Sequence, residues 1–279
     1  MVAGLIVLLT DFGLDDTYVG TMKGVILQIN PRASTVDLCH QVAPQNVAAG
    51  AFLLATSYRY FAPDAIFVAV VDPGVGSERR AIALKTPHGT FVGPDNGLLG
   101  WVARDFGVAV PPDRGVARLT GSDVSGVVLS NASFFLPTIS ATFHGRDVFA
   151  PVAAHLSLGT PLSALGTPLA DLVVLPTRRL ERMNGAVVGQ VVYIDRFGNA
   201  ITDVSSSDLV GIEHPTIEVA GERIDGISHH YAERTGLLAL VSSSDRLEIA
   251  LHGGSAAARL GLRPGDPVVV RSKTTRYRE

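Results

Sequence analysis

Residues 65–80 read AIFVAVVDPGVGSERR, and the fold follows from how this stretch divides. Its first part is an unbroken apolar, β-branched run, the pattern of a strand covered on both faces, as in a parallel sheet. Its second part begins on an acid, turns through Pro73, Gly74 and Gly76, and ends on Arg79 and Arg80. Working outward, GLIVLLT at 4–10, DDTYVGTMKGVILQIN at 15–30, STVDLCH at 34–40 and NVAAGAFLLATSYRYF at 46–61 alternate strand-like with helix-like text. That alternation predicts an α/β domain with a largely parallel central sheet, whose ligands sit beyond the carboxyl ends of its strands. TDFGLDD closes the first strand, DPGVGSERR closes the AIFVAVV strand, and TFHGRD at 142–147 precedes the helix-like FAPVAAHLSLG. These polar clusters are the candidates for one crevice.

After LPTRRLERMNG the text changes to short runs such as VVGQVVYID, TIEVAGERI, RLEIAL and DPVVVRS, separated by Gly, Ser, Asp and Pro turns. This predicts a small all-β domain. The expected division is an N-terminal domain over 1–177, a linker at about 178–184 and a C-terminal domain over 185–279. Residues 112–140 are less regular and read as a surface insertion. With 279 residues, 47% of them hydrophobic, the chain can bury at least one full core. A net charge of −3 and a pI near 6.2 leave no electrostatic footprint for nucleic acid or an acidic membrane. The basic ending RSKTTRYRE reads as a solvated tail. GLIVLL is too short for a membrane span and reads as a buried first strand. Cys39 is the only cysteine, so no internal disulfide can form, and a cytoplasmic location is expected.

Several common chemistries are missing. GVGSER lacks the third glycine of a dinucleotide loop, and no Walker lysine follows it. There is no G-x-S-x-G elbow, no H-E-x-x-H and no ExGxGxG methyltransferase loop, so chemistry falls to Asp, Arg, His and backbone groups. In TDFGLDD, Asp11 projects from a strand end and is a candidate to grip a cation or the hydroxyls of a ribose, while Asp15 or Asp16 is placed to cap the next helix. Calcium-dependent nucleoside hydrolases start similarly but carry a further aspartate where this chain has Leu9, so no metal site is expected. In the 70–80 stretch, Asp72 and Arg79 can fold back on each other, and Arg80 suits a surface salt bridge. His144, at the mouth of a helix, could orient or receive a proton, and Arg146 and Asp147 could pair locally or cap that helix. IDRFGNAITD places Asp195 and Asn199 about a bend. SSSDRLEIAL puts Ser243 in a turn and Glu248 on the strand face opposite Leu247, Ile249 and Leu251, as either a solvated residue or a ligand. His229 and His230 read as surface residues.

Taken together, TDFGLDD, DLCHQVAPQNVAAGAFLL, VVDPGVGSERR, VGPDNGLL, TFHGRDVFAP, IDRFGNAITD and SSSDRLEIALHGGSAAARLGL resemble the S-adenosyl-L-methionine (SAM) hydroxide adenosyltransferases, or SAM hydrolases, relatives of fluorinase and chlorinase. The likeness runs in order through nearly the whole chain. It implies an α/β domain followed by a C-terminal β-barrel. It also implies a homotrimer with substrate held between one subunit's N-terminal domain and a neighbour's C-terminal domain, and cleavage of SAM by water to adenosine and methionine without a cofactor. By the same resemblance Asp72, Arg79 and His144 form a catalytic triad, with Asp72 also in contact with substrate. Asp11 grips the ribose, Asp195 meets the methionine ammonium and Asn199 reads adenine, while Ser243, Glu248 and the backbone near Leu251 close over the substrate. Fluorinase carries Tyr at the place of Asp72, and Tyr-Ser where this chain has His144 and Gly145, which points to water rather than halide as nucleophile. The alternatives are a SAM-dependent halogenase or metal-dependent nucleoside-cleaving enzyme, and a nucleoside-binding module without chemistry.

Overall fold

The computed structural model describes residues 4–110, 115–175, 180–183 and 185–272. The chain divides into compact units, Met1–Thr177 and Arg178–Glu279.

In the first unit, Leu5–Thr10 (β1), Tyr18–Ile29 (α1), Ser34–Cys39 (β2), Val47–Ser57 (α2) and Ile66–Val70 (β3) follow the alternation read from sequence. Ala81–Thr86 (β4), Gly89–Pro94 (β5), Gly100–Asp105 (α3), Val116–Arg118 (β6), Ser125–Leu129 (β7), Ala150–Ser157 (α4), Gly166–Pro168 (β8) and Asp171–Val173 (β9) complete it. The central sheet runs β2-β1-β3-β5-β4-β7-β8. It is parallel from β2 to β5 and antiparallel from β5 to β8, so the sheet is mixed and its parallel character is confined to one side. The reason is local: only Pro87 and His88 separate the β4 and β5 runs, which closes a hairpin rather than a crossover. β1 and β3 lie side by side in the parallel part, which brings TDFGLDD and DPGVGSERR out at the same edge.

Both faces of this sheet are covered. Ile6 and Leu8 pack with Met22 and Ile26 of α1 and with Val152 and Ala153 of α4. On the other face, a Cβ at Gly50 of α2 would stand 2.9 Å from Leu98 and 3.0 Å from Val71, with Leu9 just beyond. A larger residue there would push the helix off the sheet. Residues 112–114 lie outside the described residues, and 115–140 are not a surface insertion. Within them β7 is a strand of the central sheet, with Val127 and Leu129 in its core, and β6 pairs with β9. Short strands broken by Gly, Ser and Asn hid their periodicity. Helix capping by Asp15 or Asp16 is also corrected. Helix α1 starts at Tyr18 behind Thr17, with no side-chain cap and no acid in the first turn.

The second unit is antiparallel: Glu181–Met183 (β10), Ala186–Ile194 (β11), Ala200–Ser205 (β12), Pro215–Val219 (β13), Glu222–Asp225 (β14), Leu237–Val241 (β15), Arg246–Leu251 (β16), Ala256–Leu260 (α5) and Pro267–Ser272 (β17). Its order is β14-β13-β17-β11-β12-β16-β15, with β10 beside β11. After β14 the Ser228 amide donates to Ala239 O at 2.7 Å, tying one end of the sheet to β15 at the other and nearly closing a barrel. Val187, Val191, Ile217, Leu247, Ile249 and Val268 fill its interior. Of the stretch expected as a linker, 181–183 forms β10, and 178, 179 and 184 lie outside the described residues, as does most of the basic tail.

Candidate active site

β3 delivers Asp72 to the sheet edge, and the loop that follows doubles back within seven residues. Val75 N donates to Asp72 O, and Ser77 N and Oγ both donate to Gly74 O. The loop closes on Arg79, whose Nε donates to both Asp72 oxygens at 3.0 and 2.9 Å and whose Nη2 donates to Oδ2 at 2.5 Å. The side chains are 4% exposed for Asp72 and 10% for Arg79, so the pair is sheltered from water and holds its geometry against solvent competition.

The third member comes from the segment that leads into α4. Arg79 Nη2 lies 2.7 Å from His144 Nδ1. A guanidinium can only donate, so Nδ1 is the acceptor and the imidazole is neutral with its proton on Nε2. Burial, and after it the charge of Arg79, lower the pKa of His144, against weaker upward pulls from Asp72 and Asp147. Both sources favour the neutral ring.

Local sequence explains how the two loops meet. Gly76 has φ +77°, and a Cβ there would overlap the carbonyl oxygen of Ala141, so the loop bearing Arg79 lies directly on the chain leading to His144. Gly145 is enclosed by Phe12, Met22 and Phe143, each 3.2 Å from where its Cβ would stand. Phe12, Tyr18 and Phe143 pack against one another at ring separations of 5.0–5.7 Å. Residues Gly145–Phe149 form a π-turn that runs into α4, a wide turn often found at functional sites. Inside it, fully buried Asp147 takes Arg146 Nε at 2.6 Å and the Ser140 amide at 2.8 Å, so this acid pairs locally and pins the approach to His144. Arg80 is structural too: it bridges buried Asp95 and partly exposed Asp171, tying the start of β4 to β9.

Asp11 stands at the end of β1, half-buried, and its Oδ2 accepts the Gln45 amide at 2.7 Å. Gln45 holds a left-handed φ of +63° to do so. Among the described residues no cluster of three or more His, Cys, Asp or Glu is arranged to hold a metal ion.

In the second unit, Asp195 organises the bend after β11. Its Oδ1 accepts the amides of Phe197 and Asn199 at 2.9 and 2.8 Å, and its Oδ2 accepts Asn199 Nδ2 at 3.0 Å. Gly198, at φ +81°, lets the bend press against Ser255. Glu248 does not face solvent: it is 3% exposed and accepts the Tyr231 hydroxyl at 2.8 Å. Burial raises its pKa and nearby Asp195 adds to the rise, while the Tyr231 bond opposes it. Asp195, Asn199, Tyr231 and Glu248 are thus neighbours. Ser243 is exposed in the β15–β16 turn, and Leu251 ends β16 with its carbonyl accepting the Gly254 amide. Tyr231 escaped the sequence reading, because it opens a single short 3-10 turn, Tyr231–Glu233, seventeen positions from Glu248. No periodic pattern marks such a contact.

Residues 6–166 match the family model for the SAM hydroxide adenosyltransferase N-terminal domain, and 189–269 match that for its C-terminal domain. A protein of Salinispora arenicola named (R)-S-adenosyl-L-methionine hydrolase is 38% identical, covering 94% of this chain and 95% of its own. One of the same name from Thermus thermophilus is 39% identical over 93% and 96%. The crystal structure of an uncharacterized conserved protein from Thermotoga maritima superimposes with a TM-score of 0.84 at 36% identity, covering 95% of this chain and 99% of that one. With both domain models matched in order on the units that carry these clusters, the chain belongs to the SAM hydroxide adenosyltransferase family.

Proposed function

We propose that this chain hydrolyses S-adenosyl-L-methionine to adenosine and L-methionine, with Asp72, Arg79 and His144 as its catalytic group. The observation that carries the reading is the unbroken hydrogen-bonded chain from Asp72 through Arg79 to His144, in a family whose curated relatives bear the name of that reaction. The sulfonium of SAM is a good leaving group, so what the protein must supply is placement of one water in line with ribose C5′ and sulfur. The water oxygen bonds to C5′ as the C5′–S pair moves onto sulfur, giving methionine's thioether. One water proton stays as the adenosine 5′-hydroxyl and the other leaves.

The hydrogen-bond geometry supports a division of roles. His144 Nδ1 is engaged by Arg79, so its Nε2–H is a donor that orients the water through oxygen. Asp72 Oδ1 carries fewer Arg79 bonds than Oδ2, and is the oxygen that takes the departing proton. Arg79 fixes both partners and favours the developing hydroxide. Attack on a cation destroys charge, so a sheltered site speeds it. Asp11 takes the ribose hydroxyls. Asp195 meets the ammonium through Oδ2, since two backbone amides occupy Oδ1. Asn199 gives its Nδ2 to Asp195 and so offers its Oδ1 to adenine. Ser243, Glu248 and the backbone at Leu251 close over the substrate.

The proposal includes no cofactor, a homotrimer with sites shared between neighbouring subunits, and a cytoplasmic location; it involves neither nucleic acid nor membrane. The single cysteine supports the last, and the family resemblance supports the trimer. No helix among the described residues is long and apolar enough to cross a membrane. Incubating the purified protein with SAM, with and without EDTA and chloride, tests the reading. Adenosine and methionine in equal amounts, unaffected by chelator, are expected. A 5′-chloro product, chelator-sensitive cleavage, or tight adenosine binding without turnover would each contradict it.

A further inference from the structure

One buried histidine is not used by this chemistry. His40 follows β2 and is 4% exposed, and its ring is walled in behind the end of β1. Nδ1 lies 2.8 Å from the hydroxyl of Thr10, which is fully buried and so placed to hold structure, not to react. The same hydroxyl accepts the Phe12 amide at 3.3 Å. The His40 carbonyl accepts the Gly13 amide at 2.7 Å. Residues 10, 12 and 13 are therefore all tied to His40, directly or through Thr10, and the residue they bracket is Asp11. Five positions after His40, the Gln45 amide reaches Asp11 Oδ2.

The ring reaches this place through an irregularity. β2 pairs with β1 in register until Leu8↔Asp37, then slips so that Leu9 faces Cys39, and the extra residue turns the next side chain inward. On its outer side, His40 Nε2 lies 3.0 Å from Asp37 Oδ1, close enough to attract but off the ring N–H axis, and Lys23 holds the other Asp37 oxygen at 2.6 Å. Asp37 and Lys23 steady the ring from the solvent side.

We propose that His40, acting through Thr10, is a positioning residue that fixes the Asp11 carboxylate for the nucleoside. This rests on the reading of Asp11 as the ribose contact. Ribose hydroxyls do not change during C5′–S cleavage, so their grip is felt equally in the ground and transition states. Disturbing it raises KM with little effect on kcat.

The test uses His40→Leu, His40→Asn, and the double change Thr10→Val with His40→Leu, read by kcat, KM, adenosine affinity from calorimetry, and Tm. The double change removes both partners of the His40–Thr10 bond together, so its stability cost is confined to the long Phe12 amide contact with the Thr10 hydroxyl at 3.3 Å. The expected result is that it keeps Tm near wild type, yet raises KM and adenosine Kd about tenfold, the scale of one lost buried hydrogen bond, with kcat within about twofold. His40→Leu shows the same split. His40→Asn, which can keep a bond to Thr10, recovers most of the affinity. Wild-type KM and Kd in the double variant, or losses in Tm and kcat with KM unchanged, would overturn the proposal. Asp11→Ala separates the layers beneath it. Weakened adenosine binding there with normal binding in the His40 variants removes the His40 role alone, and normal binding in Asp11→Ala removes the ribose assignment as well.

Discussion

At the scale of single residues, the bond from Arg79 to His144 Nδ1 decides what the imidazole can do. With that nitrogen engaged, the proposed role of His144 is that of a neutral donor, and the proposed role of Asp72 is to accept the water's proton. Replacing Asp72 or His144 by Ala is expected to lower kcat by roughly 10²–10⁴, the range for a positioned acid–base group, with SAM affinity largely kept; unchanged turnover in both would dismiss the triad. The pH dependence has a defined sign. Burial and then Arg79 lower the pKa of His144, so the ring stays neutral below the ordinary histidine value of about 6.5. The kcat/KM profile should therefore hold flat through that value and fall only at more acid pH, when an Nδ1–H would oppose Arg79. A fall centred above it would contradict the neutral assignment. The pairing of Asp72 with Arg79 was legible because strand punctuation and charge mark both, whereas His144 was joined to them by the family resemblance. Tyr231 and His40 were not, since their meaning lies in contacts with Glu248 and Thr10 that no local pattern encodes.

At the scale of elements, the site depends on how closely two loops pass. Gly76 combines a left-handed backbone with contact against the Ala141 carbonyl. Gly76→Ala should cost about 1–3 kcal/mol from strain alone. It should also lower kcat beyond any loss of Tm, because the Arg79 loop lifts from His144. Denaturation and single-turnover rates on the same variant separate these effects, and a variant with normal kcat would show that the close passage is not needed. Elements were legible from sequence where hydrophobic runs were long, as in β1 and β3. It failed at β7, a five-residue strand whose Gly126 and flanking Ser residues read as loop. It also failed at the start of α1, where acids near a helix suggested a cap that the chain does not make. The antiparallel half of the sheet was missed because each run showed only that it was buried, and burial alone does not give direction.

At the scale of the whole molecule, the proposed functional residues fall in two units, with Asp11, Asp72, Arg79 and His144 in the first and Asp195, Asn199, Ser243, Glu248 and Leu251 in the second. If neighbouring subunits of a trimer share each site, then Asp72→Ala and Asp195→Ala are defects on opposite sides of one interface. Mixed trimers assembled by co-expression should regain activity, up to about a quarter of wild type for random assembly, because some interfaces then unite two intact halves. No recovery would place each site within a single subunit. The central claim is the path of the oxygen atom, and hydrolysis of SAM in ¹⁸O-labelled water reads it directly. Label is expected in the 5′-hydroxyl of adenosine and none in methionine. Label in methanol or homoserine, or adenosine without label, would mean that water does not attack C5′.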